Sequence, residues 1–165
     1  MRKNRRERGA TMAEFAIISV VFFMIIFGII EFGRLFYTHN ALTDAARRGA
    51  RYAVLHDMNL AAERECVKKI VVFGETHVNP STCIETGPPL INGLTTTNVG
   101  VTYTTGAYGT NLGTATVEIT NYTFNLSVPF ARQTLTMPKY VTTLTAESAG
   151  RIPDNIVTAP PPPVP

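Results

Sequence analysis

Charged residues are scarce in this chain, and no basic run with interleaved aromatic residues occurs after Gly9. Only 16% of the 165 residues are charged, and five of the fifteen basic residues precede Gly9 with one acidic residue among them. The first nine residues therefore carry a net charge of +4, and the remainder carries −1. Because nucleic acids are bound through clustered Lys and Arg side chains, such a body offers no phosphate-binding surface. We expect no nucleic-acid partner.

Sequence motifs of enzyme chemistry are also missing. The chain contains no G-x-S-x-G, no H-E-x-x-H and no glycine-rich phosphate loop. Its three histidines form no recognisable arrangement with a nearby Asp or Ser; the candidates are His39, His56, His77, Asp44 and Asp57. We therefore expect a protein that is not an enzyme and has no cofactor, metal ion or small-molecule substrate. His39 is expected to pack on the apolar side of a helix.

One long apolar run stands out in a chain whose length allows one modest domain plus an appendage. From Phe15 to Ile30 there is no charge and no proline, and the run lies between Glu14 and Glu31. At about 1.5 Å per residue it is shorter than a ~30 Å hydrocarbon core, but apolar neighbours extend it to about residues 14–36. A buried helix of a globular domain is the alternative. Because soluble helices normally keep a polar face, the sequence favours a membrane-spanning helix.

The basic N-terminus predicts the orientation of this helix. The positive-inside rule places the first residues in the cytoplasm and the body of the protein on the exported side. A cleavable secretory signal would end in small residues such as A-x-A, and the residues after Ile30 do not supply them at that spacing. We expect the helix to be retained as a single-pass anchor.

The residues around Gly9 resemble a type IV prepilin. A basic leader, Gly9, four residues, Glu14 and a long apolar helix follow in that order. The resemblance implies that a prepilin peptidase cuts between Gly9 and Ala10 at the cytoplasmic face. It also implies that Glu14, then the fifth residue, meets the N-terminal amine of a neighbouring subunit during assembly. From the residues alone, Glu14 could instead mark a helix N-terminus, where the macrodipole favours a carboxylate, and both roles can coexist.

Two further stretches resemble the TadE-like pseudopilins, minor subunits of tight-adherence pilus systems. They are Phe27-Gly28-Ile29-Ile30-Glu31-Phe32-Gly33-Arg34 and Ala45-Ala46-Arg47-Arg48-Gly49-Ala50-Arg51-Tyr52-Ala53-Val54. The likeness covers residues 5–55, and a weaker one returns near residues 141–151. It implies a structural subunit that acts in pilus assembly, adhesion and surface colonisation. Its partners would be a prepilin peptidase, other pilin or pseudopilin subunits and lipid of the inner membrane.

The same resemblance implies a location in the bacterial inner membrane, with the C-terminal domain periplasmic or extracellular. Whether the subunit enters the pilus or stays at its base is left open. Two alternatives also stay open: a signal-anchored extracytoplasmic binding module, and a pseudopilin of a type II-like secretion system. Removal of the leader at Gly9 would distinguish a pilin-like subunit from an anchored module.

Periodicity beyond the membrane predicts an α+β, pilin-like fold. We expect a basic leader at residues 1–9, an N-terminal helix at 10–56, an extracytoplasmic α+β domain at 57–158 and a proline-rich disordered tail at 159–165. The helix should present one face of small and apolar residues, formed by Leu35, Leu42, Ala46, Gly49 and Ala53. A small antiparallel sheet should pack on this helical stalk.

The remaining elements are predicted from caps and alternation. A second helix is expected over Leu60–Phe73, with Ala62, Cys66, Ile70 and Phe73 on its buried side, a cap at Asp57 or Asn59 and an end at Gly74. After residue 95, alternating Thr, Val and Tyr residues indicate strands. They are expected at Val99–Thr105, Thr114–Val128 and Tyr140–Ala149, with a bulge near Asn121 and a hairpin loop at Gly106–Gly113.

Cys66 and Cys83 are the only cysteines in the chain. The expected topology exports both to a compartment where disulfides persist, so a bond between them is favoured. For a loop of this size it would add ~3 kcal/mol in the chain-entropy model. Two separate thiols, with Cys66 filling the core, are the alternative. A metal site is disfavoured because His77 lies between the cysteines at C-x10-H-x5-C, unlike the short paired spacings of zinc ligands.

Overall fold

The computed structural model describes residues 4–55, 61–79, 82–104, 113–128 and 131–145, with only the backbone described at 4–8, 128, 131 and 132. The long helix α1 is followed by a short helix α2 and five strands. Their bounds are α1 Asn4–Val54, α2 Ala61–Phe73, β1 Val99–Thr104, β2 Thr114–Ile119, β3 Thr123–Val128, β4 Ala131–Thr136 and β5 Tyr140–Thr145. The predicted α+β class, with a long apolar helix, a second helix and small antiparallel sheets, is confirmed.

The chain divides into two compact units. The first comprises Met1–Asn40 and Thr123–Met137, and it contains the apolar half of α1 and the β3–β4 pair. The second comprises Ala41–Tyr122 and Pro138–Pro165, and it contains the C-terminal part of α1, α2 and a sheet in the order β1-β2-β5. All strand pairs are antiparallel.

Helix α1 begins earlier than the sequence predicts. Its first described residue is Asn4, six residues before the expected start at residue 10. The leader residues Arg5 to Arg8 are Arg and Glu, which are good helix formers, and no proline interrupts them. The bond between Gly9 and Ala10 therefore lies within a continuous helix.

The C-terminal part of α1 forms the core of the second unit. Leu42, Ala46, Gly49 and Ala53 are buried, as the periodicity predicts, while Leu35 of the first unit is half-buried. A Cβ added at Gly49 would lie 2.2 Å from Cγ2 of Val71 in α2 and 3.3 Å from Cγ1 of Val117 in β2. Because real Cβ atoms are not found that close to other atoms, glycine is what allows α1, α2 and β2 to meet.

Helix α2 packs a wider face than the sequence predicts. Cys66 and Ile70 are buried as expected, but Ala62 is exposed and Phe73 is half-buried. The buried face also includes three residues outside the predicted stripe, namely Val67, Val71 and Val72. Neighbours on several sides cover the helix, which widens its buried face beyond one amphipathic stripe. The predicted caps Asp57 and Asn59 lie outside the described residues.

The predicted strand over residues 114–128 is wrong as a single element. It divides into β2 and β3, which belong to different sheets. Asn121 adopts a left-handed conformation with φ 56°, and the side-chain amide of Asn98 donates to the carbonyls of Thr120 and Asn121. This turn, rather than a bulge, causes the phase slip in the sequence, because Asn tolerates the left-handed region better than other side chains.

Strand β4 was not predicted from the sequence. Strand β4 lies between Pro129 and Pro138, where the sequence was expected to connect two strands, and it pairs with β3 from Thr123 opposite Thr136 to Val128 opposite Ala131. Strands β1 and β5 agree with their predicted positions over the described residues. Most of the predicted hairpin loop, the last four residues of the third predicted strand and the tail at 159–165 lie outside the described residues.

Candidate assembly site and membrane-proximal contacts

The apolar run of α1 is exposed along its length. Phe15, Phe22 and Ile29 expose 70%, 57% and 67% of their surface, and almost all of their large apolar neighbours are similarly open. Among the described residues, one helix is long and apolar enough to cross a membrane, Gly9–Val54. Soluble monomers rarely expose a contiguous apolar surface of this size. The helix is therefore suited to contact lipid or apolar partner helices.

Gly9, Ala10 and Glu14 all lie exposed on α1, just before the apolar run. Nothing lies within 4 Å of a Cβ added at Gly9. Ala10 and Glu14 are four residues apart, so they share a helix face and are separated by about 6 Å along the axis. The chain thus places the carboxylate one turn beyond the predicted new N-terminus. Cleavage at this bond and an assembly role for Glu14 stay predictions.

Glu31 and Arg34 join α1 to β3 within the first unit. The Arg34 guanidinium lies 2.6 Å from Oε1 of Glu31 and also donates to the carbonyl of Asn125. The backbone N–H of Ser127 donates to the same Glu31 oxygen at 2.8 Å. The guanidinium carbon lies 4.6 Å from the ring centroid of Phe124, within range of a cation–π interaction.

These contacts explain why an acidic residue is buried next to an apolar run. Glu31 is only 7% exposed, and a buried carboxylate is costly unless it is paired and hydrogen-bonded. In the sequence, Glu31 marks the end of the run and lies in a TadE-like stretch, and neither feature predicted its link to β3. The signal was the i,i+3 spacing of Glu31 and Arg34, which places opposite charges on neighbouring turns.

A disulfide joins Cys66 of α2 to Cys83 in the following loop, with the Cα atoms 5.2 Å apart. Lys69 supports the same loop, because its ammonium donates to the Cys83 carbonyl at 3.0 Å and lies 2.7 Å from Oε2 of Glu85. The hydrogen bond from Lys69 lowers the pKa of Glu85. Val78 and Glu85 form an antiparallel bridge. The loop is thus closed by one covalent and several polar contacts.

The histidines do not form a catalytic arrangement in the part of the chain that is described. His39 is exposed rather than packed on the apolar side of α1, because the buried face at this level contains Thr38 and Leu42. His77 is half-buried beside Gly87, and Asp44 pairs with Arg48 at 3.0 Å. Within the described ranges, no group of three or more His, Cys, Asp or Glu residues is suited to hold a metal ion. His56 and Asp57 lie outside those ranges.

Residues 9–51 match the family model of TadE-like proteins. This segment is TadE-like. The family consists of pilus-associated structural proteins and is not known for enzymatic activity, so the match over this segment suggests a protein associated with a tight-adherence pilus. It also suggests interaction with other pilus subunits, and the apolar helix suggests a membrane anchor. No curated protein and no solved structure matches the chain significantly.

The TadE-like segment contains the predicted cleavage and assembly residues as well as the contacts found in the structure. Gly9, Ala10 and Glu14 lie at its start, and Glu31 and Arg34 lie near its middle. The resemblance to TadE-like proteins is confirmed over residues 9–51.

Proposed function

We propose that the chain is a minor pilin or pseudopilin of a tight-adherence pilus. It is inserted in the bacterial inner membrane with its N-terminus in the cytoplasm, and a prepilin peptidase trims it between Gly9 and Ala10. It then contributes to pilus assembly, adhesion and surface colonisation. The observation that supports this proposal is the exposed apolar run of Phe15–Ile30, preceded by a glycine, a glutamate and a basic leader within a TadE-like segment.

Hydrolysis of the bond between Gly9 and Ala10 would change the charge at the start of the helix. The nitrogen of Ala10 is an uncharged amide before the cut and a protonated amine afterwards. An ammonium and a carboxylate attract strongly where water is excluded, and an unpaired charge drawn toward the bilayer centre costs about 2.5–3.5 kcal/mol. Glu14 supplies the complementary charge to a neighbouring subunit's new amine. Processing thereby creates one of the two charges that assembly requires.

Replacing Glu14 with Gln tests assembly separately from processing. The substitution keeps the size of the side chain and removes its charge, while the bond after Gly9 and the basic leader are untouched. We expect normal loss of the leader, and co-purification with partner pilins reduced about tenfold or more, which corresponds to ~1.4 kcal/mol. The measurement compares the amount of partner pilin that co-purifies with wild type and with the variant at equal membrane levels.

Glu75→Gln is the matched control, because Glu75 is exposed in the second unit and the same charge is lost far along the chain from the apolar run. It should co-purify like wild type. Equal co-purification of the Glu14→Gln variant would show that Glu14 only favours the helix start, and that assembly depends on apolar packing alone.

A further inference from the structure

The β3–β4 pair runs alongside α1 toward the apolar run. Asn125 of β3 contacts Arg34, and two residues later Ser127 contacts Glu31. Strand β3 therefore runs in the opposite direction to α1, toward the apolar run. The Ser127 end of the pair is therefore nearer to Ile30 than the Thr123 end is. Thr123 and Ser127 are four positions apart, which is about 13 Å along β3.

The level at which β3 attaches coincides with the expected outer boundary of the membrane. The strict run of Phe15–Ile30 spans only about 24 Å, so the outer edge of a ~30 Å hydrocarbon core falls within about one helical turn of Glu31. Phe32, Phe36 and Tyr37 follow, and they expose 67%, 59% and 72% of their surface. Tyr37 is of the type that is enriched at the lipid interface, and the two phenylalanines extend the apolar surface up to it.

Two backbone groups on the edge of β3 that faces away from β4 have side-chain partners at this same level. The carbonyl of Asn125 accepts a hydrogen bond from Arg34, and the N–H of Ser127 donates to Glu31. Both backbone groups therefore have partners without water or another strand. Unpaired edge groups are costly where water is scarce. The two side chains therefore supply what a strand edge needs at the border of a bilayer.

The end of the pair nearest the apolar run combines a basic residue with apolar ones. There Ser127 is opposite Arg132, and Val128 is opposite Ala131. Basic residues next to apolar ones are typical of segments that lie at a headgroup region, because phosphate attracts the positive charge.

We propose that the β3–β4 pair is a second membrane-contacting element, with its Ser127 end at the headgroup region of the outer lipid interface. Phospholipid headgroups and the first acyl carbons are its partner, and the Glu31–Arg34 pair holds the strand at that depth. This contact is continuous with the exposed surface of α1 and rests on the proposed insertion of α1 in the membrane.

Depth-dependent quenching of fluorescent labels tests the contact. Ser127→Cys and Thr123→Cys place labels on exposed positions of the same edge and face of β3, and Thr136→Cys adds a second far-end position. Cys66 and Cys83 are bonded to each other and do not react. The full chain is reconstituted in liposomes of phosphatidylethanolamine and phosphatidylglycerol, and each label is quenched by brominated lipid and by aqueous iodide.

We expect brominated lipid to quench the Ser127 label severalfold more than the Thr123 and Thr136 labels, with the opposite order for iodide. Equal iodide quenching at all three positions, without lipid quenching, would overturn the contact. A label on an Ile25→Cys variant, within the apolar run, reports insertion of α1 itself. Lipid quenching at Ile25 but not at Ser127 rejects only the contact, whereas none at Ile25 rejects the proposed insertion and the contact together.

A measurement without substitution guards against labels that disturb the strand pair. In bilayer discs, a lipid-bound spin label should broaden the amide resonance of Ser127 more than that of Thr123 in the isotope-labelled wild-type chain. Equal broadening of the two amides, with the resonances of the apolar run strongly broadened, would contradict the proposal.

Discussion

Replacing Cys66 and Cys83 together with serine is expected to lower the free energy of unfolding of the second unit by about 3 kcal/mol. The bond joins residues that are 17 positions apart, and removing it returns chain entropy to the unfolded state. Cys83 is also held in the left-handed region, with φ 52°, which a residue with a side chain adopts only when its surroundings impose it. The remaining contacts of Lys69 should keep the loop near α2 but hold it less firmly.

Chemical unfolding of the detergent-solubilised chain, with and without reductant, measures this loss. Reductant should weaken the wild type to the level of the double variant and leave the double variant unchanged. Thiol labelling of denatured, unreduced wild type should find no free cysteine. Two labelled thiols, or a wild type whose stability does not change with reductant, would show that the bond does not stabilise the second unit.

Gly49→Val is expected to destabilise the second unit by about 3 kcal/mol. The new Cβ would overlap Cγ2 of Val71, which is fully buried and, being branched at Cβ, has few rotamers to escape into. Val117 lies close on the β2 side, so a shift of α1 away from α2 is also obstructed. Relief requires separation of α1 from both elements, which opens the core.

Gly33→Val is the matched control. Gly33 lies in the same helix, is exposed, and has nothing within 4 Å of an added Cβ. Removing a helical glycine there should be neutral or stabilising by up to ~1 kcal/mol. If the two variants unfold at the same denaturant concentration, close packing at Gly49 is not a determinant of stability.

Local patterns predicted the parts of the structure that are determined locally. The helix over the apolar run could be predicted without knowing its neighbours, because a long stretch that is apolar on all sides is typical of a membrane-spanning helix. The buried face of α1 from Leu42 to Ala53 follows from the 3.6-residue period. The roles of Gly9, Ala10 and Glu14 stay predictions, and they were inferred from the resemblance of a few consecutive residues to a type IV prepilin.

Contacts between distant residues were not predictable from the same patterns. Ser127 and Glu31 are 96 positions apart, and neither residue indicates the other in sequence. The division of the predicted second strand depends on the left-handed turn at Asn121, which alternation on both sides conceals. Strand β4 lies between two prolines, and such short segments form strands only when a neighbour supplies the pairing.

The error at His39 has the same origin. Helical periodicity placed this residue on the apolar side of α1, but the residues that cover that part of the helix decide which face is buried. Thr38 lies on the covered face and its hydroxyl donates to the carbonyl of Arg34, whereas His39 is exposed. Because the buried face includes the polar Thr38, the pattern of apolar residues alone placed the buried face about one position away from where it lies.

Intact mass of the membrane-extracted protein, from cells with and without prepilin peptidase, tests the central claim most directly. We predict that the chain extracted from cells with the peptidase lacks residues 1–9 and begins at Ala10, and that the full precursor accumulates without it. Recovery of the uncut precursor from both strains would contradict the account. It would indicate instead a signal-anchored exported domain that does not enter a pilus assembly.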